Sequence, residues 1–119
     1  MQTYKDLIVW QRGIELVAEI YKLTEKLPKS EMFGLTSQMR RAAVSIPSNL
    51  AEGYARKHRA EYVQFIRIAF GSGAELETQL LLVETLKFVD LKHLQKSKGL
   101  LDETMRMLNK LISSLTSRP

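Results

Sequence analysis

Between Gly34 and Lys57 the sequence reads G-L-T-S-Q-M-R-R-A-A-V-S-I-P-S-N-L-A-E-G-Y-A-R-K, and its apolar residues Met39, Ala43, Ile46, Leu50 and Tyr54 recur in steps of three and four. That spacing predicts one helix over about 35–57 with Pro47 at its middle. A proline in a helix interior removes the hydrogen bond to the carbonyl four residues back, here Ala43, and crowds the preceding turn, at about 3 kcal/mol. Ser45, Ser48 and Asn49 are expected to supply local polar partners. Ala42, Ala43 and Ala51 let a neighbouring helix approach a segment kinked at Pro47.

Three more segments carry the same periodicity. The first, about 6–27, has one stripe of Leu7, Trp10, Ile14, Val17 and Tyr21 and an adjoining one of Leu16, Ile20, Leu23 and Leu27, and Pro28 ends it. The third, about 60–88, places Tyr62, Ile66, Ala69, Gly73, Leu76, Leu80 and Val83 on a seven-residue repeat. Gly71 and Gly73 within it each cost about 1 kcal/mol against alanine, which predicts another backbone close by. The fourth, about 91–115, starts at Asp90, a good amino-terminal cap, and aligns Leu94, Leu101, Met105, Leu108, Ile112 and Leu115. Gly53 and the run Arg56-Lys57-His58-Arg59 mark the exit of the second helix.

Short connections between long helices predict an all-α fold: an antiparallel up-down-up-down four-helix bundle in one domain spanning 1–119. The third helix carries a second apolar stripe of Val63, Phe70, Ala74, Leu81 and Phe88, more face than one bundle core needs. Surplus apolar surface marks association, so a homo-oligomer is expected.

The sequence has no cysteine, so disulfides and thiolate metal sites are excluded and a cytoplasmic protein is expected. The amino terminus lacks the pattern of a secretory signal, and Leu80–Val83, the longest aliphatic run, is too short to cross a bilayer. The net charge of +5 is uneven: residues 1–28 balance, 29–67 carry +4, 68–86 carry −3 and 87–119 carry +4. Polyanions are plausible partners for such a chain, although soluble proteins also carry this balance without touching nucleic acid.

Y-K-D-L-I-V-W-Q-R near the start, the run from Gly34 to Gly53, and G-S-G-A-E-L-E-T-Q-L from Gly71 together resemble the four-helix-bundle proteins encoded by intervening sequences of bacterial large-subunit ribosomal RNA genes. The resemblance spans about Tyr4 to Asp90 and is most specific from Arg41 to Gly53. It implies a small bacterial protein that assembles into a ring, with a pentamer as the characteristic form. A similar bundle is the accessory variability protein of diversity-generating retroelements, so the resemblance also implies nucleic acid and a reverse transcriptase as partners.

Two groups of residues are candidates for contacting RNA or DNA. Arg41, Ser45, Ser48, Glu52 and Arg56 share one face of the second helix. Either Arg41 and Arg56 meet phosphates there with Ser45 and Ser48 donating further hydrogen bonds, or Glu52 pairs with Arg56 while Arg41 and the serines face a neighbouring subunit or repair the backbone around Pro47; the second reading is preferred. The stronger candidate is the turn Arg56-Lys57-His58-Arg59, which Arg40 and Arg67 would extend and which an oligomer would repeat. Tyr62, Phe65 and Phe70, like Trp10, Tyr21 and Tyr54, fall at core spacing and add no base-stacking platform. Pro47, Gly53, Gly71, Gly73, Ala43 and Phe70 are expected to shape packing and assembly.

An enzyme is not expected. Bundle ribonucleases of the HEPN class place an arginine four to six residues before a histidine, and neither His58 nor His93 has one there. Di-metal carboxylate bundles need two inward Glu-x-x-His pairs, and the nearest approach is Asp90-x-x-His93, so no metal or cofactor is expected. The apolar stripes are better explained by packing on one another than by a membrane surface.

Overall fold

A computed structural model describes residues 2–117. The chain forms a rod of 48 × 22 × 20 Å. It consists of four helices: α1 (Ile8–Thr24), α2 (Leu35–Arg56), α3 (Arg59–Thr85) and α4 (Leu91–Thr116). Short 3₁₀ turns at Tyr4–Asp6 and Lys29–Glu31 precede α1 and α2, and no strand occurs among the described residues. Each helix packs on two others, α1 with α2 and α4, and α3 with α2 and α4, which makes a four-helix bundle. Ser45 meets Ser72 and Gly53 meets Phe65; Arg12 meets Glu103 and Glu19 meets Lys96. Residue numbers therefore rise on one helix as they fall on its neighbour.

The α1 boundaries differ from the expected 6–27, for local reasons. Asp6 turns backwards: its carboxylate accepts from the amides of Gln2 and Thr3, which holds its pKa below the ordinary value and closes the first 3₁₀ turn. Leu7 is then extended and α1 starts at Ile8. At the other end Pro28 disfavours helical backbone at Leu27, and the chain tightens after Thr24 through Lys26 N–H to Leu23 O and Leu27 N–H to Thr24 O. Leu27 is buried without being helical.

The core follows the expected stripes closely on α3, where Ile66, Ala69, Gly73, Leu76, Leu80 and Val83 are all buried and Tyr62 is half-buried. On α1 only Leu16, Ile20, Leu23 and the following Leu27 are core, joined by Val9; Tyr21 and Ile14 are exposed, and Trp10 is half-buried edge-on to Tyr4 at 5.3 Å. Of the second α3 stripe, Val63 is buried and Phe70 and Phe88 lean on the protomer's own core. Leu81, 59% exposed, keeps its face uncovered.

Pro47 is buried within the protomer, against Gly13 of α1, and α2 continues through it. The expected repair of the backbone by hydroxyls takes a different form. Asn49 Nδ2 donates to Ser45 O and to Ser45 Oγ, each at 2.8 Å, while Ser72 Oγ on α3 donates to Ser45 Oγ at 2.8 Å. Ser45 thus ties α2 to α3, and Ser48 is exposed. Among the described residues no side chain donates to the Ala43 carbonyl.

The three glycines singled out in α2 and α3 separate. Gly53 does not end α2; it is a notch inside it, where an added Cβ would stand 2.6 Å from Phe65 Cβ. Gly73 faces the Met105 side chain of α4, not a backbone. Gly71 is exposed, and a Cβ there would meet nothing within 4 Å, so the close approach expected at this position is absent.

The helix ends explain the turns. α3 closes with Lys87 N–H to Glu84 O and Phe88 N–H to Val83 O around a left-handed Lys87 (φ 56°), the Schellman arrangement. Asp90 occupies the amino-terminal cap position of α4, but its side chain makes no capping hydrogen bond.

Candidate nucleic-acid interface

The connection between α2 and α3 is only Lys57 and His58, because Lys57 adopts the left-handed conformation (φ 60°, ψ 20°) that reverses the chain in two residues. Glycine is the residue that takes this conformation without steric cost, and a lysine there costs about 1–2 kcal/mol. The turn therefore carries a charge that its backbone does not call for. Lys57, His58 and Arg59 line an open cleft of about 500 Å³ together with Gln2, Tyr54 and Tyr62.

Arg56 is the one cation of the turn with both an ion-pair partner and an aromatic neighbour among the described residues. Its Nη2 donates to Glu52 Oε1 at 3.1 Å, and its guanidinium lies 5.1 Å from the Phe65 ring centroid. Lys57 and Arg59 make no ion pair among the described residues, so the cationic character of the turn rests on them. Tyr54 and Tyr62 pack edge to face at 5.9 Å, and both are half-buried. Burial, with Tyr54 adding, raises the Tyr62 phenol, whose hydroxyl has no hydrogen-bond partner among the described residues.

The other arginines divide. Arg67 is exposed two helical turns along α3 from Arg59, about 12 Å at 1.5 Å per residue. Arg40 does not extend the turn: it lies about 24 Å back along α2, its Nε donates to Thr24 Oγ1 at 2.9 Å, and its guanidinium sits 4.5 Å over the Tyr21 ring. Arg41 is exposed beside the α2–α3 groove with Ser45, Ser72 and Glu75, remote from the turn. Arg56, Lys57 and Arg59 alone come together.

The fold also assembles a basic group that the sequence reading left unplaced. Lys22 in the last turn of α1 and Lys26 just beyond it face Lys92, His93 and Lys96 at the start of α4, around a cleft of about 380 Å³. The excess charge of residues 87–119 was visible in the sequence. Lys22 and Lys26 at the exit of α1 could have been matched with Lys92 and Lys96 once α1 and α4 were placed side by side.

Among the described residues no three His, Asp or Glu side chains gather to hold a metal ion, and no helix is long and apolar enough to cross a membrane. A solved structure, described as a protein of unknown function from the S23 ribosomal protein family of Bacteroides thetaiotaomicron VPI-5482, has the same fold. It superposes with a TM-score of 0.82 at 21% identity, over 89% of this chain and 96% of that one. At that identity the likeness speaks for the fold. No curated protein matches this chain. The pattern of the 23S rRNA-intervening sequence proteins matches residues 5–110, so the similarity reaches well into α4, beyond the Asp90 limit expected from the three motifs. With most of its length covered, the chain belongs to the 23S rRNA-intervening sequence protein family.

Proposed function

We propose that this protein is a non-catalytic homo-oligomer, a pentamer as the family resemblance implies, that binds nucleic acid through its Arg56–Arg59 turn as an accessory factor in RNA- or reverse-transcription-related processes. The observation that carries this reading is the tight turn that sets two cations, Lys57 and Arg59, beside Arg56 with no ion-pair partner of their own among the described residues. Ammonium and guanidinium groups on a protruding turn suit phosphate contacts, which position a strand without reading its bases. Self-association would repeat the turn around the assembly and multiply a field that one +5 chain supplies weakly.

Support for assembly comes from two unlike apolar surfaces. One, on α1 and α2 and the connection between them, shows Tyr21, Met32, Phe33 and Val44, with Phe33 97% exposed. The other, on α3 and its exit, shows Ile68, Leu82 and Leu86 along one helical face, with the exposed Leu81 about a third of a turn away. Joining unlike surfaces gives a heterologous contact, which closes into a ring when the rotation permits.

Phe33 also favours a second reading, a structural or protein-binding oligomer with incidental charge. Titrating a short labelled RNA at two salt concentrations separates the two. Nucleic-acid binding predicts affinity that falls steeply with salt, and a shallower slope when Arg56, Lys57 and Arg59 are changed to alanine. Equal, negligible binding at both concentrations favours the protein-binding reading.

A further inference from the structure

We infer that the opposite end of the rod, the lysine cleft between α1 and α4, is a second contact for a nucleic-acid backbone. It is separate from the Arg56–Arg59 turn, so one protomer grips a strand, or two strands, at both ends. The inference shares with the proposed function only the class of ligand.

The cleft is built by four ammonium groups, Lys22 of α1, Lys26 in the turn just after it, and Lys92 and Lys96 of α4. One carboxylate serves two of them: Glu19 Oε1 lies 3.1 Å from Lys96 Nζ and 3.4 Å from Lys22 Nζ. Lys26 and Lys92 have no ion-pair partner among the described residues. Glu25 is the other acid of the cleft, so four lysines face two carboxylates and the local balance is positive.

Helix electrostatics accounts for Lys22 and Lys26, at the carboxy-terminal end of α1, but not for the cations of α4. Lys92, His93 and Lys96 occupy the first turns of α4, the end where aligned peptide dipoles disfavour cations, and Asp90 does not offset them with a side-chain cap. Lys92, placed against the field of its own helix and without an ion-pair partner among the described residues, adds nothing to the stability of that helix.

The chemistry of the cleft selects the partner. Lysines are point charges on flexible stems, suited to phosphates whatever the base. An acidic protein surface would need apolar or aromatic anchors, and the cleft offers only the aliphatic Leu23, which is buried. Distance makes the two ends independent. Arg59 begins α3 and the lysine cleft adjoins its far end, and the 27 residues between span about 40 Å.

The test is titration of a short fluorescein-labelled single-stranded RNA of mixed sequence against the full chain over a range of salt. The comparison is with Lys26→Gln/Lys92→Gln, which leaves both Glu19 ion pairs in place, and with Lys57→Gln/Arg59→Gln; circular dichroism checks that each retains the wild-type helix content. The lysine-end variant is expected to lower the slope of log affinity against log salt by about 1.4, from about 0.7 per lost contact. The four-site combination should lose both contributions. An unchanged slope in the lysine-end variant with a reduced slope in the turn variant overturns this inference and leaves the turn standing. The converse result keeps the lysine cleft and removes the turn. Displacement of RNA by polyglutamate of equal charge as effectively as by unlabelled RNA also overturns it, because the cleft would then be reading negative charge rather than a phosphate backbone.

Discussion

Gly13 of α1 lies directly against the pyrrolidine ring of Pro47 in α2: a Cβ built at position 13 would stand 3.4 Å from both Pro47 Cβ and Pro47 Cδ. The mid-helix proline is thus answered by a glycine across the α1–α2 contact, inside the protomer. Pro47→Ala restores an N–H that can reach the Ala43 carbonyl and removes a penalty of about 3 kcal/mol, against a loss of about 1.6 kcal/mol for two buried methylenes. Net stabilisation of about 1 kcal/mol is expected in urea unfolding. Gly13→Leu should destabilise by about 1–3 kcal/mol through overfilling, whereas strong destabilisation by Pro47→Ala would show that the ring packing outweighs the lost hydrogen bond.

The glycines make a graded series. Gly53→Ala brings a Cβ within 2.6 Å of Phe65 Cβ, an atom fixed to its backbone, and should cost about 1–3 kcal/mol despite a better helix former. Gly73→Ala would meet the Met105 sulfur, the far part of a flexible side chain, and should cost less. Gly71→Ala meets nothing and should stabilise by up to about 1 kcal/mol. Thermal unfolding of the three variants checks the order, and equal effects would contradict it.

Lys57 sets stability against binding. Lys57→Gly relieves the left-handed strain and should stabilise the fold by about 1 kcal/mol, yet it removes one phosphate contact and should weaken RNA affinity at low salt. Paired unfolding and RNA titrations on this variant measure both. Gains in both would remove Lys57 from the interface.

Tyr62→Phe removes a buried hydroxyl that has no partner among the described residues. Leaving such a group unsatisfied costs about 1–3 kcal/mol, so the variant should be more stable by about 1 kcal/mol in urea. A loss of stability would mean that the hydroxyl is bonded in solution.

Glu19 gives the fold an acid sensitivity with a definite sign. Its carboxyl is held below the ordinary value of 4.5 chiefly by Lys96, with Lys22 adding. A lowered folded pKa contributes stability that is present above 4.5 and is lost as pH falls through the lowered value. Glu19→Gln should therefore be less stable near neutrality and show a flatter stability profile in acid. Superimposable profiles for the two proteins would contradict the pairing.

Much of this architecture could be read from residue spacing. The Ile66-to-Val83 stripe was legible because one regular face of a long helix is buried, and Glu52–Arg56 because helical neighbours four apart must meet. Tyr21 was misjudged as core because periodicity gives the direction of a face, not its buried width. Leu27 misled in the opposite sense: it is buried in a tightened turn, so burial did not mean helix. Gly71 and Gly73 look alike in the sequence, and only the placement of α4 puts Met105 over one and leaves the other open. The lysine cleft escaped notice because its halves lie on α1 and α4, far apart in the chain.

Self-association would cover the apolar surfaces around Phe33 and Leu82 and gather the basic turns. Sedimentation equilibrium at micromolar concentration tests it most directly. A pentamer predicts a single species of five times the 13.7 kDa chain mass, and a lone species at 13.7 kDa would contradict the account.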